Sequence, residues 1–390
     1  MELIIMGGTF LSTDPDYQTH FVKGALEGII KQKTGSLEEA KLLAEKSKRR
    51  VIGITVETRP DYCKETHVDN MLNFGTTRVE IGIQTVYNEI YDLVKRGHTT
   101  ADSIESIRIA KDAGLKINAH VMPNLPGSTI QKDLKLFDSL FSNPDYRPDM
   151  LKIYPTLVID GTELHNWWKN GNYLPYSDED LIELIAMAKK NLPSYVRIQR
   201  IMRDIPATLI KAGCKNSNLR QLVQERLKSW DETCKCIRCR EYGISKKEEL
   251  IDEKSFDKIK LYRFDYDASQ GKEIFLSYEN KIENYLIGYL RLRKPSEFAH
   301  RPEINDGKTL IVREIKVVGE MVPKDLKPKR LIQIQHRGYG KLLMENAEKT
   351  SFEEFGAKKL VVISGIGARD WFYEMGYKID GVYVSKTLNH

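Results

Sequence analysis

Through the first 200 residues, short apolar runs alternate with stretches whose apolar positions recur every three or four residues. The runs ELIIMGG, VIGITVETRP, TRVEIGIQT, LKINAHVMPNLPG, MLKIYPTLVI and YVRIQRI read as buried strands ended by glycine, proline or polar residues. Between them, amphipathic helices are predicted over 18–49 in two pieces, then 64–74, 101–113, 128–142 and 177–191. Thr100 and Ser177 read as helix N-caps, the latter followed three residues on by Asp180. Such alternation implies parallel strands with right-handed crossovers. About six strands are too few for a closed eight-stranded barrel, which needs roughly 250 residues. An open, partial TIM-like barrel over residues 1–204 is therefore expected.

The pattern changes near Phe256. KLYRFDYD, EIFLSYEN, YLIGYLRLRKP and TLIVREIKVVG read as successive antiparallel strands, and KKLVVISG as a later one. The intervening IQHRGYGKLLMENAEKTSFEEFG enters a helix through a glycine-bearing loop, with Leu342, Leu343, Ala347 and Phe352 on its apolar side. This predicts an α+β domain over 256–390, with a linker over 205–255.

Length and charge narrow the picture. At 390 residues, more than one domain is expected. No window approaches twenty uninterrupted apolar residues, and the start has no secretory-leader pattern, so no membrane span is expected. Five cysteines are few and odd in number, which points to a reducing, cytoplasmic setting. The net charge of +6 is uneven, because residues 195–230 hold eight lysines and arginines against two acidic residues. Arg197, Arg200, Arg203, Lys211, Lys215 and Arg220 belong to this patch, which suits a phosphate backbone and equally suits a solvated helix face.

Three groups of residues carry candidate chemistry. Polar residues gather where barrel strands end: Gly7 and Gly8, Glu57 and Arg59, Glu80 and Gln84, Asn118 and His120, Lys152 and Tyr154. Ligands of such barrels sit at that rim, though some of these residues could be structural pairs. Gln335, His336, Arg337, Gly338, Tyr339, Gly340 and Lys341 bring backbone N–H groups and a helix N-terminus to one spot, a pyrophosphate site by physics. Cys234, Cys236 and Cys239 have C-x-C-x-x-C spacing, close enough for three thiolates to reach one tetrahedral ion, and zinc suits them. Cys214 is the expected fourth ligand, with an acidic residue or water as alternatives.

Q-x-x-G-x-G opening a helix, then LVVISG and ARDWFYEMGY, resembles the coenzyme A site of GNAT acetyltransferases. MGGTF, GITVETRPD, EIGIQT, INAHVMPNLPG, LKIYPTLVIDGTEL, RIQRIMRDIPATLIKAGCKNSNLRQLV and LIGYLRLR together resemble the family of the Elongator catalytic subunit, in its archaeal form. The resemblance implies a radical S-adenosylmethionine domain joined to an acetyltransferase domain. It further implies modification of the tRNA wobble uridine at carbon 5, with acetyl-CoA as acetyl donor, a 5′-deoxyadenosyl radical as activator and a carboxymethyl uridine as product. By resemblance, Gly7, Gly8, Glu57, Gln84 and His120 contact S-adenosylmethionine, residues 335–341 contact acetyl-CoA, and the basic segment contacts tRNA. Lys152 would meet the base or the methionine cofactor. The tyrosine common near the thioester falls at Phe372, so Tyr373 and Tyr377 are the candidates for a catalytic or acyl-pocket role. Archaeal members are expected to work without other Elongator subunits.

The chain departs from that family in one respect. The three-cysteine loop that would hold a [4Fe–4S] cluster after the first barrel strand is not present, and Cys63 stands alone in the barrel segment. An N-terminally truncated chain is expected, able to bind tRNA and bind or hydrolyse acetyl-CoA without the radical step. Two other readings compete: a GNAT enzyme that acetylates protein lysines, and a non-catalytic RNA-binding scaffold that senses acetyl-CoA.

Overall fold

In a computed structural model, the structure describes residues 1–202, 205–245, 257–318 and 338–389. The N-terminal part runs β1 (Glu2–Ile5), α1 (Pro15–Ile30), α2 (Leu37–Lys46), β2 (Gly53–Thr58), α3 (Glu65–Asn73) and β3 (Thr76–Gln84). It continues through α4 (Asn88–Leu93), α5 (Thr100–Asp112), β4 (Lys116–Val121), α6 (Ile130–Ser142) and β5 (Met150–Ile153). Next come β6 (Val158–Ile159), α7 (Glu163–Lys169), α8 (Asp178–Lys190), β7 (Arg197–Ile201) and β8 (Ile210–Ala212). Six of these strands form one sheet in the order β1-β2-β3-β4-β5-β7, with β1–β2, β2–β3, β4–β5 and β5–β7 parallel. This is the expected open half-barrel. Central strands are hydrophobic because helices cover parallel sheets: Val56, Val79, Ile81, Ile117, Ala119 and Leu151 are all buried.

Helix starts follow local hydrogen bonding. The Ser177 hydroxyl accepts from the Asp180 N–H, as the spacing predicts. Before α5 the cap lies one residue earlier than expected. Thr99 Oγ1 accepts from the Asp102 N–H at 3.2 Å, while Asp102 accepts from the Thr99 N–H at 2.9 Å. That reciprocal capping box outcompetes Thr100.

The later segments are α9 (Leu219–Ser229), α10 (Ile237–Arg240), α11 (Tyr242–Ser245), β9 (Lys260–Ala268), β10 (Gly271–Asn280), β11 (Tyr285–Lys294) and β12 (Thr309–Val317). They are followed by α12 (Tyr339–Glu353), β13 (Lys359–Val362), α13 (Arg369–Tyr373), β14 (Lys378–Asp380) and β15 (Tyr383–Thr387). The C-terminal sheet is mixed, in the order β14-β15-β13-β12-β11-β10-β9, and only its β12–β13 pair is parallel. Its core gathers Leu276, Leu290, Leu310, Leu343, Ala347, Leu360 and Phe372. Leu342, expected on the apolar side of α12, is 41% exposed; Met344 takes the inward position.

The chain divides into two compact units that do not follow sequence order. One comprises residues 1–81, 105–117 and 240–390; the other comprises 82–104 and 118–239. The first unit unites barrel strands with the C-terminal sheet through buried charge. Arg293 of β11, fully buried, donates to Asp112 of α5 at 2.6 and 3.0 Å and to Glu273 of β10 at 3.0 Å. Arg313 of β12 donates to Glu273 at 2.9 Å and to the Leu115 carbonyl at 2.8 Å. Asp112 also accepts from the Ser296 N–H.

Buried ions are tolerated here because each finds several partners, and losing one partner leaves a charge uncompensated. Asp112→Ala should therefore destabilise the protein by about 3–5 kcal/mol. Lys33→Ala, at a 93% exposed side chain, should cost under about 1 kcal/mol. Thermal unfolding of the two variants beside the parent checks this; equal midpoints would refute it.

Candidate acyl-donor cleft and thiol cluster

The C-terminal sheet opens at one point. β12 and β13 pair in register from Thr309–Lys359 to Val312–Val362. Beyond that, Glu314–Val317 and Ile363–Gly365 line opposite sides of a cleft of about 750 Å³. Gly338, Tyr339, Gly340 and Lys341, at the start of α12, line it too. Gly338 adopts φ +88°, which glycine takes at little cost. A side chain at Gly340 would come within 3.2 Å of Trp371, so the helix end packs closely there. Gln335, His336 and Arg337 of the expected loop lie outside the described residues. Phe372 is buried and lines the cleft, as does Trp371.

The two candidate tyrosines do not line it. Tyr373 donates to Glu45 at 2.8 Å, and burial followed by that carboxylate pushes its hydroxyl up to about 12. Tyr377 is buried and donates to Glu348 at 2.9 Å; burial above all, then Glu348, raises its pKa far above the ordinary value. Both hydroxyls hold neighbouring carboxylates, a use that residue spacing cannot distinguish from catalysis.

The cleft has a second wall that sequence reading missed. Glu2, Gly53, Thr77, Arg78 and Lys116 stand at the N-terminal ends of β1 to β4 and line it. Attention to C-terminal strand ends passes over these positions. Arg78 is ion-paired with Glu2 at 2.6 Å. Glu314 accepts from Arg291 Nε at 2.9 Å and Tyr289 Oη at 3.0 Å. Burial alone would raise the Glu314 pKa, but Arg291 and Lys116 hold it below the ordinary value.

At the C-terminal strand ends, Gly7 and Gly8 take φ +116° and +79° with open space where a side chain would stand. A ligand can therefore approach this backbone closely. Glu57 lies in register with buried Glu80. In the second unit, Gln84 takes φ +69°. There His120, Lys152 and Arg200 form one row across β4, β5 and β7, paired His120 to Lys152 and Lys152 to Arg200. Paired residues share a sheet face, so the three cationic or imidazole groups stand together. His120 also meets Tyr154 edge-on, with ring centroids 5.3 Å apart. A register shift after Leu151 lets Arg197, three residues before Arg200, pair with Met150 in the same row scheme.

The rest of the basic patch is dispersed. Arg203 lies outside the described residues. Lys211 pairs with Asp160 at 3.2 Å, while Lys215 is exposed. Arg220 is half-buried: it donates to the Ile198 carbonyl and stands in the field of the three thiols.

Those thiols converge. The Sγ atoms of Cys234, Cys236 and Cys239 lie within 4.8 Å of one another. The Cys236 thiol is held well below its ordinary pKa because the other two hydrogen-bond to it. Three close sulfurs, one already favoured as thiolate, fit a zinc ion. Cys214 does not join the group. Burial pushes its thiol up to about 11, and its polar neighbours are Asn216 and Asp178. Cys63 is fully buried, which raises its thiol to about 12. A lone protonated thiol does not fit an iron–sulfur cluster, and no other cysteine of the chain lies in the barrel's early loops.

The chain resembles known proteins over its whole length. Residues 4–140 match the radical SAM superfamily model and 148–229 the radical SAM C-terminal domain model. The chain is 48% identical, over its full length and 71% of the relative's, to the tRNA uridine(34) acetyltransferase of Methanocaldococcus jannaschii. It is 43% identical to Elongator complex protein 3 of Saccharomyces cerevisiae, covering 69% of that protein. Its fold matches the structure of archaeal Methanocaldococcus infernus Elp3 with an N-terminal deletion of residues 1–46. The TM-score is 0.94 at 47% identity, over 99% of this chain and 90% of that one. Among the described residues, no helix is long and apolar enough to cross a membrane.

Metal binding at the thiols should be coupled to folding and to acid, because each ligand must be deprotonated. Cys236→Ser should lower bound zinc and the unfolding temperature together, while Cys63→Ser should leave zinc content unchanged. Elemental analysis beside thermal unfolding checks both, and full zinc in Cys236→Ser would remove the site.

Proposed function

Because the chain belongs to the family of the tRNA uridine(34) acetyltransferases and Elongator complex protein 3, we propose that it is an acyltransferase acting on tRNA. Acetyl-CoA is its acyl donor, and carbon 5 of the wobble uridine is the destination. One observation carries this reading: the cleft where β12 and β13 part meets the N-terminus of α12. The amides at Gly338–Lys341, with Gln335, His336 and Arg337 ahead of them, take the coenzyme pyrophosphate. The pantetheine arm then lies between Glu314–Val317 and Ile363–Gly365, as an extended amide chain beside strand edges, with Trp371 and Phe372 excluding water.

Gly7, Gly8, Glu57, Gln84 and His120 hold S-adenosylmethionine, which when bound supplies one-electron chemistry. The cysteines of this chain do not provide the cluster that such chemistry draws on, so no step is assigned to it. Lys152, in the row with His120 and Arg200, holds the uracil or the methionine cofactor by charge. Arg197, Arg200, Arg203 and Lys215 meet RNA phosphates. Zinc on Cys234, Cys236 and Cys239 fixes the start of α10 so that Arg220 of α9 keeps its place on the Ile198 carbonyl of β7. The reading includes a cytoplasmic setting and activity without further subunits.

Acetyl-CoA hydrolysis by the purified chain should rise when tRNA is added. Turnover with a lysine peptide and none with tRNA would replace this reading by protein acetylation; binding of both ligands without turnover would make the chain a sensor. Four cations are assigned to phosphate here, Arg197, Arg200, Arg203 and Lys215. The log–log salt slope of tRNA binding should then be about −3, at roughly −0.7 per contact. A flat dependence would remove the phosphate role. No 5′-deoxyadenosine should form from this polypeptide with S-adenosylmethionine, iron and reductant, as chromatography would show.

A further inference from the structure

One ionisable group in the cleft has no use in the reaction above. Lys116 begins β4 and lines the same cavity as Gly338, Gly340 and Trp371. Among the described residues its ammonium makes no hydrogen bond or ion pair. Its position is fixed from behind. The Leu115 carbonyl accepts from Arg313, and the Ala113 carbonyl accepts from Tyr383 Oη at 2.9 Å. The first residue of β4 is thus presented to the cleft by a backbone tied to the C-terminal sheet. Glu314, on the strand that walls the cleft, is the carboxylate that most favours its charged form.

We infer that Lys116 is an intrachain acyl acceptor: the thioester seated in the cleft acetylates its amine, making Lys116 a self-modification site. The inference rests on the acetyl-CoA reading of the cleft. Lys116 Nζ, as the free amine, forms a bond to the thioester carbonyl carbon. The C–S bond breaks, the sulfur leaves with the electron pair, and it takes the proton lost from nitrogen. The products are N-acetyl-Lys116 and the coenzyme thiol, and no further reactant is needed. The modified side chain is uncharged and bulkier, so Glu314 keeps Arg291 but loses the field of Lys116, and the cleft that Lys116 lines is narrowed for further use.

The free amine is accessible near neutral pH. Loss of hydration brings the Lys116 pKa down to about 8, with Glu314 and Glu2 opposing and Arg78 and Arg313 assisting. Lys316 and Lys341 also line the cleft and act in the same sense as the arginines. Deprotonation increases with pH, so labelling should accelerate between about pH 7 and pH 9 and level off above. Surface lysines, with ordinary values near 10.4, keep gaining reactivity beyond that range.

The experiment incubates the purified chain with acetyl-CoA and maps acetyl groups by peptide mass spectrometry over time, with coenzyme binding measured by calorimetry on the same sample. Lys116 should be acetylated at least about tenfold faster than Lys33, whose side chain is 93% exposed. Prior heat unfolding should abolish that preference, and Lys116→Arg should lose the fast label. Acetyl-CoA binding with no preference for Lys116 overturns the inference alone. Absence of both binding and label overturns the acetyl-CoA reading together with it.

Discussion

The buried ion cluster around Arg293 is the constraint on which the first unit depends. Arg293, Arg313, Glu273 and Asp112 are all essentially without solvent exposure. Charges in such a place are stable only when partners are complete and correctly placed. The cluster therefore fixes where the end of α5 meets β10, β11 and β12, and hydrophobic packing alone would tolerate sliding. Gly114, at φ +88°, follows immediately and packs so closely on Ile311 that a side chain there would collide with it. From this anchor the chain turns into β4, and Lys116 emerges at the cleft. A glutamate of the C-terminal sheet, an aspartate of a barrel helix and two arginines thus decide which groups line the cleft.

That arrangement explains why the compact units cut across the linear order of the sequence. Residues 105–117 belong with the C-terminal sheet because Asp112, Ala113 and Leu115 bond to it through Arg293, Tyr383 and Arg313. Further ties within the same unit use Glu45, which accepts from Arg369 and Tyr373, and Asp69, which accepts from His300 and Arg301. All but the Tyr383–Ala113 bond are charge-assisted, and the ties join residues 181 to 328 positions apart, a kind of information that local periodicity does not contain.

The strands were legible because their burial is local and repetitive. Runs such as TRVEIGIQT and TLIVREIKVVG carry β-branched residues that suit a pleated, covered surface. The glycine loop before α12 was legible because φ above zero and a helix N-terminus leave a chemical signature. The C-x-C-x-x-C spacing was legible because three sulfurs in six residues meet with little help from the rest of the fold. Thr99 rather than Thr100 as the cap of α5 was a choice between equal residue types, settled by which one Asp102 could answer. Leu342 turned outward for a similar reason, since the helix phase is set by Leu343 and Ala347 in the core.

What stayed hidden was the use of charge. Arg220 and Lys211 look like phosphate ligands by composition, yet one lies among thiols and the other holds Asp160. Tyr373 and Tyr377 look like proton donors, yet both hydroxyls are committed to carboxylates. Conversely, Arg78 and Lys116 sit at strand beginnings, where a parallel barrel ordinarily keeps residues of structural importance. They acquire a chemical setting only because a second sheet opens against them. A barrel that closed its lower end with apolar side chains would bury the same strands at less electrostatic cost. This one instead places Glu2, Arg78, Lys116 and Glu314 around a common space. Retaining charged groups in a partly dehydrated cleft is costly for stability, and the cost is offset where opposite charges meet, as in the Arg78–Glu2 and Arg291–Glu314 pairs.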